Sequence, residues 1–328
     1  MRSQFGYGAK SQIKRIYQQI VLFGFMAVLV VACNHSSVSE TSTSTNCRRV
    51  DHLAGETCIP LNPQRPVVLG VPTMANAIFL GVKPVGTILY FDQKAPPPYL
   101  EGKLEGIQIV GTGNQPNLEK ILILEPDLII AMNDSELSYD QMSQIAPTVV
   151  DNWYGYSDWK EHFNFVAEVL GKTEESKQVW AHYEQRIQEL RQALGDNYQD
   201  IDVSVVRVCC NNLASDVKNS FSGIILNDVG LRRPPSQDSA PGGLVIFSEE
   251  LIAEKLDGDI IFAIVDDDDD SEKAFEQLKN DPLWNKLEAV QEGKVYPVNL
   301  ATWRGGNPLA ADAVIDDLFK YLVAGQES

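Results

Sequence analysis

Arginine and aromatic side chains stand in or just after apolar, strand-like runs of this sequence, in a loop before its long helical region and in a turn after a helix. Six such residues are Tyr90, Trp153, Arg207, Arg233, Trp303 and Arg304. Guanidinium groups bind carboxylate and other acidic oxygens, and aromatic rings pack against apolar groups and cations. In open parallel sheets, ligands bind beyond the carboxyl ends of the strands. The set therefore predicts a cleft for a ligand that carries acidic oxygens and apolar parts.

The sequence carries none of the common catalytic or metal-binding motifs. It has no GxSxG, HExxH, Walker or CxxC pattern, and its four histidines are scattered. The GTG run at 111–113 lacks the third glycine of a dinucleotide-binding turn, and the DDDDD run at 266–270 lacks the glycine of an EF-hand. None of these motifs therefore predicts a metal, cofactor or catalytic site, and the resemblance described below implies a binding protein rather than an enzyme. A pair of catalytic carboxylates depends on distances in space and stays open.

The chain is strongly acidic. Of its 328 residues, 45 are acidic and 27 are basic, so its formal net charge is −18. A general nucleic-acid binder needs a basic face that neutralises phosphates. The composition therefore argues against a nucleic acid as the partner.

The N-terminal segment has the pattern of a bacterial export signal. A basic stretch precedes the apolar run IVLFGFMAVLVVAC at 20–33, which is too short for a confident membrane span and suits the core of a signal peptide. The run ends in VVAC, which resembles a lipobox. We predict a signal peptide at 1–32, lipidation of Cys33 and a flexible tether at 33–47.

Four further cysteines follow this segment, and export would bring them into an oxidising compartment. Cys47 and Cys58 flank a short stretch, and we predict a disulfide between them. Cys209 and Cys210 are adjacent, and two interpretations stay open for them, buried thiols or a vicinal disulfide. The scattered cysteines and histidines disfavour a direct zinc or manganese binder.

Apolar runs alternate with helical patterns along the rest of the chain. PDLIIAMN at 126–133 and GDIIFAIV at 258–265 are apolar on both faces, as strands of helix-covered parallel sheets are. The stretch at 173–195 carries its apolar residues on one face and predicts a long helix. We predict an α/β fold of two lobes, each a mostly parallel sheet with flanking helices, joined by this helix. The predicted segments are an N-terminal lobe at 48–157, a helical linker at 158–195 and a C-terminal lobe at 196–328.

One pattern occurs twice, in PNLEKILILEPDLII at 116–130 and in SEELIAEKLDGDIIF at 248–262. In each copy a glutamate, Glu119 or Glu250, begins a helical segment, and eight or nine residues later an aspartate begins a buried strand. A carboxylate at a helix start interacts favourably with the helix dipole, which is one explanation for Glu119. The repetition indicates the same supersecondary unit in both lobes.

Several pieces of the sequence, in this order, resemble one family. They are PQRPVVLG, AIFLGVKPVG, PNLEKILILEPDLII, VSVVR, GLRRPPSQ, FSEELIAEKLDGDIIF and LWNKLEAVQEGKVYPVN. Together they resemble the periplasmic iron–siderophore binding proteins, which are class III substrate-binding proteins of ABC importers, over residues 48–323. The pieces VVR, GLRRPPSQ and TWRGGN resemble the branch that binds ferric hydroxamates or ferric citrate.

The resemblance implies a function and a location. The protein would bind a ferric siderophore between its lobes, as a monomer without cofactor, and deliver it to an ABC permease dimer with its ATPase. A lipid anchor at Cys33 would hold it in the periplasm, on the outer face of the cytoplasmic membrane. Two alternatives stay open: a haem or corrinoid ligand in the same class of importer and, with less support, an exported hydrolase with a carboxylate pair.

The resemblance also implies roles for single residues. Glu119 and Glu250 match the glutamates that dock on the two permease subunits, although the neighbouring Glu249 leaves the second match ambiguous by one position. The positions that match residues of the ligand site are Arg207, Arg233 and Trp303. The pair Cys209–Cys210 departs from the family pattern close to that site.

Overall fold

The computed structural model describes most of the chain from residue 47 onward. The described residues are 47–89, 96–113, 115–135, 138–153, 155–195, 198–209, 212–238 and 242–323. The predictions made for Cys33, Tyr90 and Cys210 fall outside these residues. None of the described helices is long and apolar enough to cross a membrane.

The N-terminal lobe is built on a six-stranded sheet. Its elements, up to the first helix of the linker, are β1 Cys47–His52, β2 Gly55–Pro60, β3 Pro66–Leu69, α1 Val71–Phe79, β4 Gly86–Leu89, β5 Gln108–Thr112, β6 Gln115–Pro116, α2 Leu118–Ile123, β7 Leu128–Met132, α3 Tyr139–Ser143, β8 Thr148–Asp151 and α4 Trp159–Leu170. The strand order is β6-β5-β4-β3-β7-β8, and every pair is parallel except β5–β6. β1 and β2 form a separate antiparallel hairpin, which a disulfide between Cys47 and Cys58 crosslinks.

Strand β7 explains why its sequence is apolar throughout. Leu128 and Ile130 point into the core under α1 and α4. Ile129 and Ala131 point to the other face, into the core that includes residues of α2 and α3. All four side chains are fully buried. The predicted α/β architecture, with a parallel sheet covered on both faces, is confirmed for this lobe.

The long helix α5, Thr173–Leu194, serves both lobes. Val179 near its start packs against the core of the N-terminal lobe. Tyr183, Ile187 and Leu190 farther along belong to the core of the C-terminal lobe. One helix thus contributes side chains to the cores of both lobes.

The C-terminal lobe is built on a five-stranded sheet of order β11-β10-β9-β12-β13. Its elements are β9 Val203–Cys209, β10 Asn212–Asp216, α6 Phe221–Val229, α7 Pro235–Asp238, β11 Leu244–Phe247, α8 Ile252–Lys255, β12 Ile260–Val265, α9 Asp269–Leu278, α10 Glu288–Gln291, β13 Val295–Asn299, α11 Leu300–Trp303 and α12 Pro308–Leu318. β12 is parallel to β9 and β13, whereas β10 is antiparallel to both of its neighbours. The sheet is therefore mixed, because the chain turns back directly after β9, and the sequence did not predict β10 or β11. The last helix, α12, packs against α5 and α6 and also reaches α1 of the other lobe.

The two copies of the repeated pattern share a structural contact at their aspartates. Asp127 accepts hydrogen bonds from the backbone N–H groups of Gln64 and Arg65, at 2.6 and 2.9 Å, just before β3. Asp259 accepts one from the backbone N–H of Asp202, at 2.7 Å, just before β9. In both lobes the aspartate that begins one strand thus caps the start of the parallel strand beside it.

The loss of either aspartate cap should lower the free energy of unfolding, and the loss of Asp127 should lower it more. We expect Asp127→Ala to lower the free energy of unfolding by about 2 kcal/mol and Asp259→Ala by about 1 kcal/mol, because a hydrogen bond to a charged group contributes about 1.5–3 kcal/mol when shielded and less when exposed. Asp259 is the more exposed of the two and accepts one of these bonds rather than two. Urea denaturation measures both values, with the exposed Asp257→Ala as control. Equal losses in all three variants would show that the caps are unimportant.

Candidate functional site

A cavity of about 210 Å³ lies where loops of the two lobes meet. Residues on its wall include Tyr156, Arg207, Asp216, Ser220, Leu244 and Arg304. Tyr156 follows β8 of the N-terminal lobe, Arg207 lies in β9, and Arg304 follows α11. The fold therefore brings two of the predicted ligand-binding residues, Arg207 and Arg304, to one cavity.

Arg207 forms a buried ion pair with Asp216. Its Nη2 donates to Asp216 Oδ1 at 2.5 Å, and Ser222 Oγ donates to the other carboxylate oxygen at 3.0 Å. Arg207 is 8% exposed and Asp216 is fully buried. In the β9–β10 hairpin Arg207 pairs with Ala214, so Asp216, two residues farther on, has its side chain on the same face of the sheet. The pair fixes the orientation of the guanidinium at the cavity wall.

Arg304 and two aromatic rings form another part of the site. The Arg304 guanidinium carbon lies 4.9 Å from the centroid of the Tyr156 ring, a cation–π arrangement. Trp153 meets the Tyr156 ring edge to face, with 5.5 Å between the centroids. Gly306 has φ 63°, and a Cβ there would lie 2.7 Å from Cδ1 of Tyr156. The close approach and the left-handed backbone both require glycine in this turn.

Trp153 is anchored on a buried histidine. The rings of Trp153 and His162 lie 4.9 Å apart, and His162 is 1% exposed. His162 Nδ1 lies 2.5 Å from Asp151 Oδ2, and its Nε2 lies 3.1 Å from Thr73 Oγ1. Both ring nitrogens therefore have partners within the N-terminal lobe, so the histidine holds the indole in place.

Trp303 corrects a prediction from the sequence. Its side chain is fully buried, its ring lies 4.6 Å from that of Phe262, and its indole N–H donates to Asp317 at 2.8 Å. Trp303 thus belongs to the core of the C-terminal lobe. It has no surface to offer a ligand, because the short helix α11 turns it away from the cavity that the following residue, Arg304, reaches.

Arg233 also lies away from this cavity. It is 8% exposed and lines a different cavity of about 310 Å³. Its Nη2 donates to the backbone oxygen of Asp216 and to Oε1 of Gln237. Arg233 is therefore not among the residues that line the cavity at Arg207, and its predicted contact with a ligand stays a prediction.

The two glutamates predicted to dock on a permease are both exposed. Glu119 lies in the first turn of α2, where Asn117 caps the helix by accepting a hydrogen bond from the backbone N–H of Lys120 at 2.9 Å. Glu250 lies in a short 3₁₀ turn, Glu249–Leu251, and its Oε2 lies 3.2 Å from Ser248 Oγ. Glu249 is exposed as well, so the geometry does not choose between the two neighbours.

Carboxylates are scarce at the cavity. Among the described residues that line it, Asp216 is the one acidic side chain, and Arg207 and Ser222 already occupy its oxygens. The described part of the chain also contains no group of three or more His, Cys, Asp or Glu residues that could hold a metal ion.

Known proteins resemble this chain over most of its length. Residues 78–299 match the family model described as periplasmic binding protein. The chain belongs to this family. It is 34% identical over 319 residues to the probable siderophore-binding lipoprotein YfiY of Bacillus subtilis. This alignment covers 92% of this chain and 97% of YfiY. It is 30% identical over 295 residues to the Fe(3+)-citrate-binding protein YfmC of the same organism, with 86% and 90% covered.

A solved structure agrees with the fold of this periplasmic binding protein. The crystal structure of Staphylococcus aureus SirA complexed with staphyloferrin B matches it with a TM-score of 0.74 at 28% identity, covering 84% of this chain and 98% of SirA. The predicted family and the predicted two-lobed α/β fold are confirmed.

Sequence patterns missed two residues of the site in this periplasmic binding protein. Asp216 could have been found by pairing β9 with β10 as a hairpin, since the register puts two opposite charges on one face. His162 carries no such signal, because it sits in an amphipathic helix and its partners, Asp151 and Thr73, come from separate elements.

Proposed function

We propose that this periplasmic binding protein binds a ferric siderophore between its lobes and delivers it to an ABC-type permease. The observation that carries the proposal is the cavity that Arg207, Arg304 and Tyr156 line together, with the Arg304 guanidinium over the Tyr156 ring. A siderophore already ligates its iron, so the protein needs cationic and aromatic contacts to the outer oxygens rather than metal ligands. Relatives named as siderophore-binding and Fe(3+)-citrate-binding proteins support this choice of ligand.

Calorimetric titration tests the proposal directly. The probes are ferric dicitrate, a ferric trihydroxamate, a ferric tricatecholate, haem and cobalamin. We expect saturable binding of at least one ferric siderophore complex, and mass spectrometry should find the same class of ligand in protein purified from iron-starved cells. Binding of haem or cobalamin alone would replace the proposal by the haem or corrinoid alternative, and heat from none of the probes would refute it.

Trp153 offers a spectroscopic test of where the ligand binds. Of the five tryptophans, Trp159, Trp284 and Trp303 are fully buried or nearly so, and Trp180 hydrogen-bonds Asn164 on the linker helices. We expect the gallium complex of the bound siderophore, which lacks the charge-transfer absorption of the iron complex, to change the fluorescence of the wild type. Trp153→Phe should remove most of this change, because its indole packs against the ring of Tyr156, which lines the cavity.

The matched control for this experiment is Trp180→Phe. It should keep the fluorescence change, since Trp180 packs against Trp159 and Phe163 rather than against the aromatic residues of the cavity. If Trp153→Phe keeps the change and Trp180→Phe loses it, the ligand binds somewhere other than the proposed cleft.

The proposal extends to the location of the protein. The signal pattern and the relative named a lipoprotein support lipidation of Cys33 after removal of residues 1–32, with 33–47 as a tether to the outer face of the cytoplasmic membrane. We propose that the protein works there as a monomer. Mass spectrometry of the N-terminal peptide of the mature protein tests the anchor by the mass of the acyl chains on Cys33.

The docking role of Glu119 and Glu250 completes the proposal. Leu122 and Ile123 lie three and four residues after Glu119 on the same helix face, and they are 59% and 78% exposed. Leu251, next to Glu250, is 39% exposed. An acidic group beside exposed apolar side chains, present once in each lobe, suits two contacts with a permease dimer that offers cationic residues.

A further inference from the structure

Arg233 is a buried arginine whose guanidinium is incompletely paired. Its Nη2 donates to two uncharged acceptors, the backbone oxygen of Asp216 and Oε1 of Gln237. Its Nε and Nη1 atoms are buried and have no hydrogen-bond partner among the residues that the structure describes. Burial lowers the pKa of Arg233 to about 10, so the group is still a cation at neutral pH. The carboxylates of Asp216 and Asp238 raise this pKa but offset only part of the effect of burial, and a buried cation is costly in such a position.

Asp216 connects this cation to the cleft. Its carboxylate pairs with Arg207, and its backbone oxygen accepts from Arg233. The other charged pair nearby, Lys218 with Asp238 at 3.0 Å, is balanced and largely exposed. Arg207, Arg233 and Lys218 thus face two carboxylates, and one positive charge remains in excess in this group.

Gln237 makes the arrangement rigid. Its side chain is fully buried. Its oxygen accepts from the backbone N–H of Val205, at 2.9 Å, and from Arg233, while its amide nitrogen donates to Ser215 Oγ at 3.2 Å and to the backbone oxygen of Lys255 at 2.8 Å. The amide therefore uses its full hydrogen-bonding capacity to tie β9, β10 and the end of α8 together around Arg233.

We infer that Arg233 is a positioning residue for an anionic ferric chelate: it holds the backbone beside Asp216 and thereby Arg207, and it gives the group of Arg207, Asp216 and Arg233 one positive charge in excess. The inference rests on the proposed function and narrows its ligand to complexes that carry a net negative charge. A bound anion at Arg207 supplies the counter-charge that the buried group lacks. Arg233 acts without touching the ligand, because the cavity at Arg207 does not include it.

The test compares Arg233→Met with Arg233→Lys. We expect Arg233→Met to weaken binding of ferric dicitrate at least tenfold, whereas Arg233→Lys, which keeps the charge, loses less than fivefold. The ligand-free Arg233→Met protein should melt at the same temperature as the wild type or higher, because it loses an unbalanced buried charge while the balanced pair of Arg207 and Asp216 stays. A merely structural arginine would give the opposite sign, with a lower melting temperature in both variants.

The neighbouring Arg232 is the matched control. It is exposed and pairs with Asp202 at 2.8 Å, so Arg232→Met should change the affinity for ferric dicitrate less than twofold.

Unchanged affinity in Arg233→Met, or a lower melting temperature with equal loss of affinity in both Arg233 variants, overturns the inference. Wild-type protein that binds only uncharged ferric trihydroxamates also overturns it but leaves the proposed function intact. Failure of the wild type to bind any ferric complex refutes the proposed function instead, and the melting temperatures still decide whether the buried charge is unbalanced.

Discussion

Arg207→Met is expected to weaken binding of a ferric siderophore at least tenfold and to lower the free energy of unfolding of the ligand-free protein by about 3 kcal/mol. Removing one partner of a buried ion pair costs about 3–5 kcal/mol because the other charge stays buried without compensation. Asp216 is that other charge, and it is fully buried. The lower end of the range applies, since Asp216 keeps its bond from Ser222 and the nearby charge of Arg233.

Urea denaturation and calorimetry measure the two effects of Arg207→Met separately. The double variant Arg207→Met, Asp216→Leu removes both charges, so it should recover most of the lost stability and none of the lost affinity. This pattern would separate a residue that binds the ligand from one that only supports the fold. Retained affinity in Arg207→Met would exclude Arg207 from the site, and a loss of affinity that the double variant repairs would make its role structural.

Arg207→Met and Arg233→Met are expected to have opposite effects on stability because the two arginines differ in their partners, not in their burial. Arg207 and Arg233 are equally buried, at 8% exposure. Arg207 balances a carboxylate, so its removal leaves a buried anion. Arg233 is the positive charge in excess, so its removal leaves Arg207 and Asp216 as a pair without net charge. The same substitution by methionine is therefore expected to lower stability at one position and to preserve or raise it at the other.

Local patterns were sufficient to predict the main elements of this fold. The apolar runs at 126–133 and 258–265 became the buried strands Leu128–Met132 and Ile260–Val265, and the helical pattern at 173–195 became Thr173–Leu194. Each of these signals arises from residues close together in the sequence, whose periodicity reflects burial on one face or on two.

The site was harder to predict because its contacts join distant parts of the chain. The contact of Arg304 with Tyr156 joins a residue that follows α11 to one that precedes α4, and no local pattern reports the packing that brings them together. Trp303 and Arg304 are neighbours in the sequence, yet one is core and the other faces the cavity. Residue type suggested both as ligand contacts, and only tertiary packing separates them.

Reversing the charge of Glu119 and Glu250 together, as Glu119→Arg with Glu250→Arg, is expected to reduce iron uptake to the level of cells without the protein. Like charges brought together at an interface cost several kcal/mol, and the proposed permease contacts are cationic. Affinity for the ferric siderophore should stay within twofold of the wild type, because neither glutamate lines the cavity. Uptake of radioactive iron and calorimetry on the purified variant measure the two quantities.

The matched control reverses Glu105 and Glu288, one exposed glutamate in each lobe, and thus makes the same change in net charge. It should support normal uptake, since the docking role depends on position rather than on total charge.

Single reversals of Glu249 and Glu250 then identify which neighbour makes the contact in the C-terminal lobe. Leu122→Ser should also lower uptake, but less than charge reversal does, because it removes apolar contact without adding repulsion. Equal uptake in the docking and control variants would show that the repeated glutamates serve only their helices, through the dipole at each N-terminus.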